Sequence, residues 1–572
     1  MRGRELPETD LPRDPGLAAL VRDGTTALLD RYPMWATDLG FRAWDERIGD
    51  LSPHGRFDQS RHLQRLRRSL EGVDRSTLTP DDRVDAAWLA HAVELALDEE
   101  SDPPLAACDP TVALSYVTGG LTSLLRYRGQ PDEARTASLV ARLKQVGPFL
   151  QGALSALENP SRLAAQTAVE EAEALARTVE SGLGRGWKRW GAGHLDVQAA
   201  AKKATGHLRQ FANHLTNGHL SAEPVWLADA PAGMDGGSGY GRGNRVGDFR
   251  IGRDRIRRRL IWQDHEDWDL VRLLQGAYDR LSSERDTLAR LLTETRPGGT
   301  PVEAVTRIRA ETLTGTELVE AFRYWMGKLR TFLGDGRLFD PSRLQWPQVE
   351  SAEADCLSPE AVAVWGPGPF DPDGPTALRV PPGLQAHRWT VPVDVVRGTF
   401  AGNHLRDQPA SRPPRRWRRI IPAPVHHDGF AAYVETLLAE AGFFRADARY
   451  GAAVALHALA RTGRLITAIR LHSEDITLKQ AVQFLVDQCF MSPEDAHVSA
   501  VEAALHPLTC MTLAQEMAWE ASYRGLDHGT RGRVSRRGFH DAMFAQGYVP
   551  LPTIRTRLLQ EDSSRDTTIH VW

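Results

Sequence analysis

The sequence predicts a large, mainly α-helical protein with a minor β element. Apolar residues recur every three or four positions over long stretches, such as residues 132–183, which is the spacing of a helix with one buried face. Segments typical of strands are scarce, the best being "TALRVPP" and "HRWTVPVDVV". At 572 residues the chain is longer than one hydrophobic core usually supports, so we expect two helical lobes.

Further helices are predicted in order along the chain. Amphipathic runs cover residues 199–218, 267–296, 428–444, 477–490 and 492–505. The first of these ends on Asn-Gly, and the last begins with Ser492 as N-cap and Pro493 in the first turn. The glycine-rich stretch 231–247 lacks the GxGxxG pattern of dinucleotide sites, and we expect it to connect an N-terminal helical part (1–230) to a C-terminal one (248–572). The alternative is one continuous domain.

Charge and composition argue against several classes of function. The net charge is −4 and the pI about 6.6, and the four cysteines form no CxxC pair, so neither a disulfide framework nor a cysteine zinc site is indicated. Because residues 1–16 are charged and contain proline, we expect no secretory signal, and no apolar run approaches the roughly 20 residues of a membrane helix. The basic run Arg412–Ile421 would suit nucleic acid, but a single cluster on a slightly acidic chain more often faces solvent or an anion. We expect a cytoplasmic protein that binds a small molecule or short peptide-like ligand, and neither nucleic acid nor membrane.

The C-terminal half holds the residues most suited to chemistry. His426, His427 and Asp428 stand at the front of a predicted helix, and Glu435 follows Asp428 two turns along the same face. Paired carboxylates beside histidines are what a metal or acid–base site requires. The alternative is that Asp428 only caps the helix and Glu435 is a surface acid. His472, in "RLHSED", is either a catalyst or a histidine at a helix end.

Five segments, taken in order, resemble the bacterial domain-of-unknown-function family 885. They are "ATDLGFRAWDERIGDLSPHG", "GDFRIGRDRIRRRL", "DGFAAYVETLLAEAGFF", "RTGRLITAIRLHSEDITLKQAVQFL" and "FHDAMFAQGYVPLPTIRTRL". The resemblance spans most of the chain. It implies a metallopeptidase-like fold that is large, helical and bilobed, with a deep central cleft.

The signature of that family, HExxPGHH, falls on residues 397–404, where this sequence reads "RGTFAGNH". The first His and the Glu are replaced by Arg397 and Gly398, and only Gly402 and His404 are retained. In the HExxH group the Glu serves as general base towards a zinc-bound water. Because Gly398 takes no proton and Arg397 cannot ligate a metal, the resemblance implies a catalytic helix that has lost its metal chemistry.

The resemblance, together with the residue pattern, gives the candidate site. Candidate catalytic residues are His404, His427, Asp428, Glu435 and His472, and candidate ligand-binding residues are Arg397, Tyr433, Arg464, Arg470 and Glu516. No metal and no cofactor are expected.

Arg397 suggests a specific hypothesis about charge. Inward carboxylates require positive charge around them, because unpaired buried charges are costly. We expect the Arg397 guanidinium to take the electrostatic role of the missing metal by pairing with Asp428 or Glu435, and to leave the cleft able to hold an anionic ligand. The alternative is that Arg397 points outward from a frayed helix.

Three functions are consistent with these residues. The first is a repurposed, metal-independent family member that binds a small anionic or peptide-like molecule, with or without transforming it. The second is an inactive pseudopeptidase that acts as a binding or partner protein. The third is a metallohydrolase with relocated ligands, drawn from His404, His426 or His427, and Asp428. The residues favour them in that order but indicate no reaction.

Overall fold

The computed structural model describes residues 6–101, 104–126, 132–185, 193–220, 248–295, 299–344, 346–351, 363–365, 368–371, 376–381, 383–400, 415–473, 476–529, 534–546 and 548–559. Their backbone is mainly helical, as the sequence predicts. They form two compact units, which divide between Gly252 and Arg253, with described residues of Trp365–Pro375 joining the first unit. The division into compact units tests neither the predicted boundary at residue 248 nor the predicted cleft, so both stay predictions.

The first unit is built from helices whose starts are set by polar caps. The side chains of Asp14, Ser52 and Thr79 each accept a hydrogen bond from a first-turn backbone N–H, and each is followed by proline. The helices are α1 (Pro15–Arg31), α2 (Pro33–Leu39), α3 (Pro53–Glu71), α4 (Pro80–Glu99), α5 (Leu105–Cys108), α6 (Thr111–Arg126), α7 (Asp132–Ser155), α8 (Arg162–Arg185) and α9 (His194–His219). The core lies largely where α9 packs against α7 and α8.

An ion-pair cluster joins α1, α3 and the end of α4. Arg31 Nη2 lies 2.9 Å from Glu99 Oε2 and 2.7 Å from Glu100 Oε1. Arg56 Nε donates a hydrogen bond to the other oxygen of Glu100 at 2.9 Å. The Tyr32 hydroxyl donates to Glu99 as well. Each charged group of this cluster therefore has an opposite charge within hydrogen-bond distance.

The second unit contains α10 (Arg253–Asp264), α11 (Leu270–Thr295), α12 (Pro301–Ala310), α13 (Gly315–Leu333), α14 (Val391–Phe400), α15 (Asp428–Ala441), α16 (Ala448–Ser473), α17 (Leu478–Cys489), α18 (Pro493–Leu505), α19 (Thr512–Gly529) and α20 (Arg536–Gln546). Helix α16 packs against α11, α17 and α18, and α15 packs against α14 and α19. Glycines permit two of these close approaches. A Cβ at Gly429 would lie 2.4 Å from the Cβ of Gln515, and one at Gly463 would lie 2.4 Å from Cys489 Sγ.

The minor β element consists of two small sheets. The strands are β1 (Thr312–Thr314), β2 (Gln348–Ser351), β3 (Ala363–Trp365), β4 (Ala377–Val380) and β5 (Gln385–His387). β1 pairs with β5 in antiparallel register, with Thr312 opposite His387. β4 lies between β2 and β3 and runs parallel to β2.

One strand prediction is confirmed and the other is wrong. The segment "TALRVPP" contains β4, whereas most of "HRWTVPVDVV" belongs to helix α14. The valines favour a strand, but Pro392 in the first turn suits a helix start. The Thr390 hydroxyl, just before the helix, donates to Asp394 at 3.1 Å. This local start signal outweighs β-propensity and places Arg397 on a helix.

Candidate functional site

Helix α15 carries a fully buried carboxylate. The helix has Asp428 in its first turn and ends at Gly442, whose left-handed backbone (φ 93°) suits a glycine cap. Its buried residues include Phe430 and Val434, and Glu435 beside them is 0% exposed. An ionised carboxylate in such a place is stable only with positive charge close by.

Glu435 lies between two guanidinium groups. Arg461 of α16 donates from Nη1 to Glu435 Oε1 at 2.7 Å, and Arg397 Nη1 of α14 lies 3.9 Å from Glu435 Oε2. Burial alone would raise the pKa of Glu435, but Arg461 and Arg397 outweigh it, so the pKa is lowered. Because the Arg461 side chain is 6% exposed and that of Arg397 is 34% exposed, Arg461 is the structural partner and Arg397 the accessible one.

Arg461 extends this pairing to a second buried carboxylate. Its Nη2 lies 3.2 Å from Oε2 of Glu516 on α19. The other oxygen of Glu516 accepts a hydrogen bond from Arg280 of α11 at 2.9 Å. The result is an arginine–glutamate chain, Arg397–Glu435–Arg461–Glu516–Arg280, to which five helices each contribute one residue.

Two titratable groups that sequence reasoning missed lie close to Arg397 and Glu435. Burial raises the pKa of Asp394 to about 7, with Arg397 opposing the shift and Glu435 adding to it. Burial lowers the pKa of His457 to about 4, which keeps its ring neutral. The spacing of Asp394, three residues before Arg397 on a helix, could have revealed it, whereas His457 in a helix interior gives no local signal. An acid with a pKa near 7 can exchange a proton at neutral pH.

Of the other predicted residues, Glu516 belongs to the arginine–glutamate chain, and Asp428 interacts electrostatically with Arg397 of that chain. Burial raises the pKa of Asp428, against the opposing charges of Arg397 and Arg464. Arg464 Nη2 lies 2.6 Å from Glu502 Oε1, so its charge is matched by a residue of α18. The ligand-binding role of Arg464 stays a prediction.

Three further predicted residues contact other parts of the unit. His472 is 3% exposed, and its Nε2 lies 3.0 Å from a backbone carbonyl oxygen of α18. Arg470 donates to the Tyr278 hydroxyl at 3.1 Å. The ring of His427 lies 5.2 Å from that of Tyr548. These contacts are with residues other than Glu435, and the catalytic or binding roles of the three residues stay predictions.

Tyr433 contacts helix α20 rather than the arginine–glutamate chain. Its hydroxyl accepts a hydrogen bond from Arg536 at 2.9 Å and lies 3.0 Å from His540 Nε2. His540 Nδ1 lies 2.7 Å from the carbonyl oxygen of Leu338, which requires the proton on Nδ1 and leaves Nε2 to accept from Tyr433. Burial raises the pKa of Tyr433 to about 12, so the phenol stays protonated.

The described residues do not fit a zinc site of the HExxH kind. No group of three or more His, Cys, Asp or Glu side chains among them could hold a metal ion. A Cβ at Gly398 would lie 2.7 Å from Cδ1 of Leu378 on β4, which is fully buried. A Glu at that position would displace Leu378. His404 falls within 401–414 and lies outside the described residues.

The basic run at Arg412–Ile421 is described from residue 415. Arg418 and Arg419 are 3% and 5% exposed, so the expectation that this run faces solvent is wrong for these two residues, whereas the alternative that it faces an anion stays a prediction. The Arg419 guanidinium lies over the ring of Tyr548, 5.9 Å from its centre, and such stacking suits a buried arginine.

Comparison with known proteins places the chain in a family. The sequence matches the family described as "Bacterial protein of unknown function (DUF885)" over residues 33–558. The chain belongs to the DUF885 family. The resemblance drawn from the sequence segments is thereby confirmed at the level of the family.

Two solved structures are similar to this DUF885 protein. A "putative lipoprotein of unknown function" from Shewanella oneidensis aligns with a TM-score of 0.71 at 16% identity, over 95% of this chain and 99% of that one. A "putative lipoprotein" from Colwellia psychrerythraea aligns with a TM-score of 0.73 at 13% identity, over 96% of this chain and 99% of that one. At such identities the likeness shows the fold alone. No curated protein matches the sequence.

The location and partners expected from the sequence stay predictions. In the part of the chain that the structure describes, every helix is too short or too polar to cross a bilayer. The cytoplasmic location, the ligand class and the absence of nucleic-acid or membrane partners therefore rest on the sequence alone.

Proposed function

We propose that this DUF885 protein is a metal-independent, repurposed family member that binds a small anionic or peptide-like molecule beside Arg397. One observation carries the proposal. Arg461 holds the buried Glu435 directly at 2.7 Å, whereas the partly exposed Arg397 lies 3.9 Å from the other carboxylate oxygen, beyond hydrogen-bond distance, so its N–H donors are available for a ligand.

We infer that metallopeptidase-like chemistry has been lost from this chain. Arg461 and Arg397 supply the positive charge around Glu435 that a metal ion would otherwise supply. Gly398 brings no general base, and its contact with the buried Leu378 leaves little space for one. Both features support a pocket that is stabilised by fixed guanidinium groups.

The charge balance at Arg397 favours a carboxylate as the ligand group. A guanidinium binds a carboxylate through two parallel hydrogen bonds, which gives both affinity and orientation. Asp394 has a pKa of about 7, so it neutralises Arg397 only in part near neutral pH. In its protonated form Asp394 donates a hydrogen bond to an anionic ligand, and it is the group here best suited to exchange a proton with that ligand.

A binding comparison of matched ligands tests the proposal. Short peptides and N-acetyl amino acids with a free carboxylate are titrated calorimetrically against their amides, using wild type, Arg397→Gln and Arg397→Lys. We expect the free acids to bind more tightly, and Arg397→Gln to weaken them about tenfold or more, as for loss of a charged hydrogen bond. Arg397→Lys should retain part of the affinity, because lysine keeps the positive charge but cannot form the two parallel hydrogen bonds of a guanidinium.

The control is Arg272→Gln, since the Arg272 side chain is 90% exposed and lies on α11, away from this site. It should bind as wild type does. Equal binding of acids and amides, or undiminished binding by Arg397→Gln, would contradict the proposal. Mass spectrometry of the incubated ligands then separates a repurposed enzyme, which yields product, from a binding protein, which does not.

A further inference from the structure

A cavity of about 680 Å³ lies between α11, α15 and α16 of the second unit. Its lining includes Arg280, the last member of the arginine–glutamate chain, but neither Arg397, Asp428 nor Glu435, so it is a different pocket from the one proposed beside Arg397. Its volume falls in the range of about 300–1,000 Å³ that is usual for small-molecule sites. The inference below does not rest on the proposed function, and either can fail alone.

The inner end of the cavity is acidic. Glu284, whose side chain is 10% exposed, lines it together with Arg280, and the two side chains pair at 2.8 Å. Arg280 also faces Glu516 at 2.9 Å and Glu520 at 3.9 Å. Three carboxylates thus surround one lining guanidinium, and among the described residues Glu516 also pairs with Arg461 at 3.2 Å and Glu520 with Arg524 at 3.1 Å, neither of which lines the cavity. This end favours a cationic group.

The middle of the cavity is apolar. Leu291 of α11 and Phe444, which follows α15, face Val454, Ala455 and Ala458 of α16 across it. Small residues on α16 leave the space open, and their burial excludes water from the walls. Apolar walls between polar ends favour a molecule with an apolar body.

The outer end carries a cation whose charge is not paired. Arg445 is exposed and donates to the backbone carbonyl of Glu440 at 3.3 Å. Within the described ranges no carboxylate lies at ion-pair distance from it. Arg290, also at this end, pairs with Glu294 at 3.6 Å. A Cβ at Gly442, which has φ 93°, would lie 3.0 Å from Cδ of Arg445, so the glycine leaves room for that side chain at the rim.

We propose that this cavity binds a short zwitterionic peptide with apolar side chains. Its ammonium group lies at the Glu284 end and its carboxylate at Arg445. Glu284 and Arg290, which line the two ends, are six residues apart on α11, which is about 9 Å along a helix and matches an extended peptide of about three residues.

Calorimetric titration of the tripeptide Leu–Ala–Leu, its N-acetyl form and its C-terminal amide tests this proposal. We expect wild type to bind the free tripeptide with a Kd below about 1 mM, and each blocked form about tenfold more weakly. Arg445→Gln should erase the difference between acid and amide. Arg272→Gln, its exposed control on α11, should preserve that difference.

Filling the cavity gives a second, steric test. Ala439 lines the cavity and is partly exposed, whereas Ala441 on the same helix is exposed and does not line it. Ala439→Leu should weaken Leu–Ala–Leu at least tenfold, and Ala441→Leu should bind as wild type does. Circular dichroism melting of both variants confirms that they are folded, and Arg445→Gln decides the question if Ala439→Leu is not.

Several results would overturn this inference. They are no binding of Leu–Ala–Leu at about 10 mM, equal binding of acid and amide by wild type, or unchanged binding by Ala439→Leu. Loss of tripeptide binding in Arg397→Gln but not in Ala439→Leu would place the peptide beside Arg397, which would overturn the cavity assignment while supporting the proposed function. Loss in Ala439→Leu alone supports the cavity and leaves the site beside Arg397 to its own test.

Discussion

Each unit of this protein contains a buried arginine between two glutamates, and the two clusters differ in one respect. Arg31 of the first unit lies 2.9 Å and 2.7 Å from Glu99 and Glu100, and other donors complete that cluster. Arg461 of the second unit lies 2.7 Å and 3.2 Å from its glutamates. There the outermost cation, Arg397, remains at 3.9 Å and 34% exposed. The first arrangement joins helices, whereas the second joins helices and leaves a cation accessible.

The largest effect is expected from removing the central arginine of the second cluster. Arg461→Met leaves Glu435 and Glu516 buried without their shared cation, so the free energy of unfolding should fall by about 3–5 kcal/mol. Arg31→Met should cost less, because Glu99 is 25% exposed and water can solvate it. Urea denaturation of both variants measures the difference. Adding Glu435→Gln to Arg461→Met should restore part of the lost stability. If Arg461→Met lowers the free energy of unfolding by less than Arg31→Met does, the expected difference between the two clusters is contradicted.

The packing of Gly398 gives the next prediction. Gly398→Glu forces a side chain against the buried Leu378 and should lower the free energy of unfolding by about 1–3 kcal/mol. The control is Gly327→Glu on α13, where a Cβ would meet nothing within 4 Å and where replacing glycine should stabilise the helix by up to about 1 kcal/mol. Thermal unfolding compares the two. If Gly398→Glu is as well tolerated as the control, the helix still has room for the residue of the family signature.

The pH dependence of stability tests Asp394. Its pKa is raised from 3.8 to about 7 in the folded chain, so the unfolded state loses the proton at lower pH than the folded state. The stability that its protonated form contributes is therefore fully present below about pH 4 and is lost as pH rises through 7. Asp394→Asn should remove this dependence and, above pH 7, exceed wild type by an amount on the order of 2 kcal/mol. A constant difference between pH 4 and 8 would show that Asp394 does not titrate in this range.

The smallest effect on stability is expected for Arg397. Because Arg461 holds Glu435 directly, Arg397→Gln should change the free energy of unfolding by less than about 1 kcal/mol, although it impairs ligand binding. Chemical denaturation beside Arg461→Met checks this contrast. A loss as large as that of Arg461→Met would make Arg397 a structural residue and remove the distinction between the two clusters.

The helical fold was predictable because apolar residues recur every three or four positions, a spacing that indicates helices from local sequence alone. The exception was "HRWTVPVDVV", a valine-rich segment that predicts a strand although it contains the start of helix α14. The family resemblance and the carboxylate spacing on α15 led to Glu435, Glu516 and Arg397. Arg461 and His457 were missed, since their partners lie on other helices and nothing in their neighbouring sequence indicates which side chains they meet. Contacts across helices depend on packing, which the sequence specifies only as a whole.

The central claim is that fixed guanidinium groups, rather than a metal ion, neutralise the buried carboxylates of the second unit. Metal analysis by mass spectrometry of protein purified without added metal tests it most directly, combined with thermal unfolding before and after a chelator. We expect far less than one equivalent of zinc and an unfolding temperature that the chelator does not change. Zinc near one equivalent, whose removal lowers the unfolding temperature, would contradict the account.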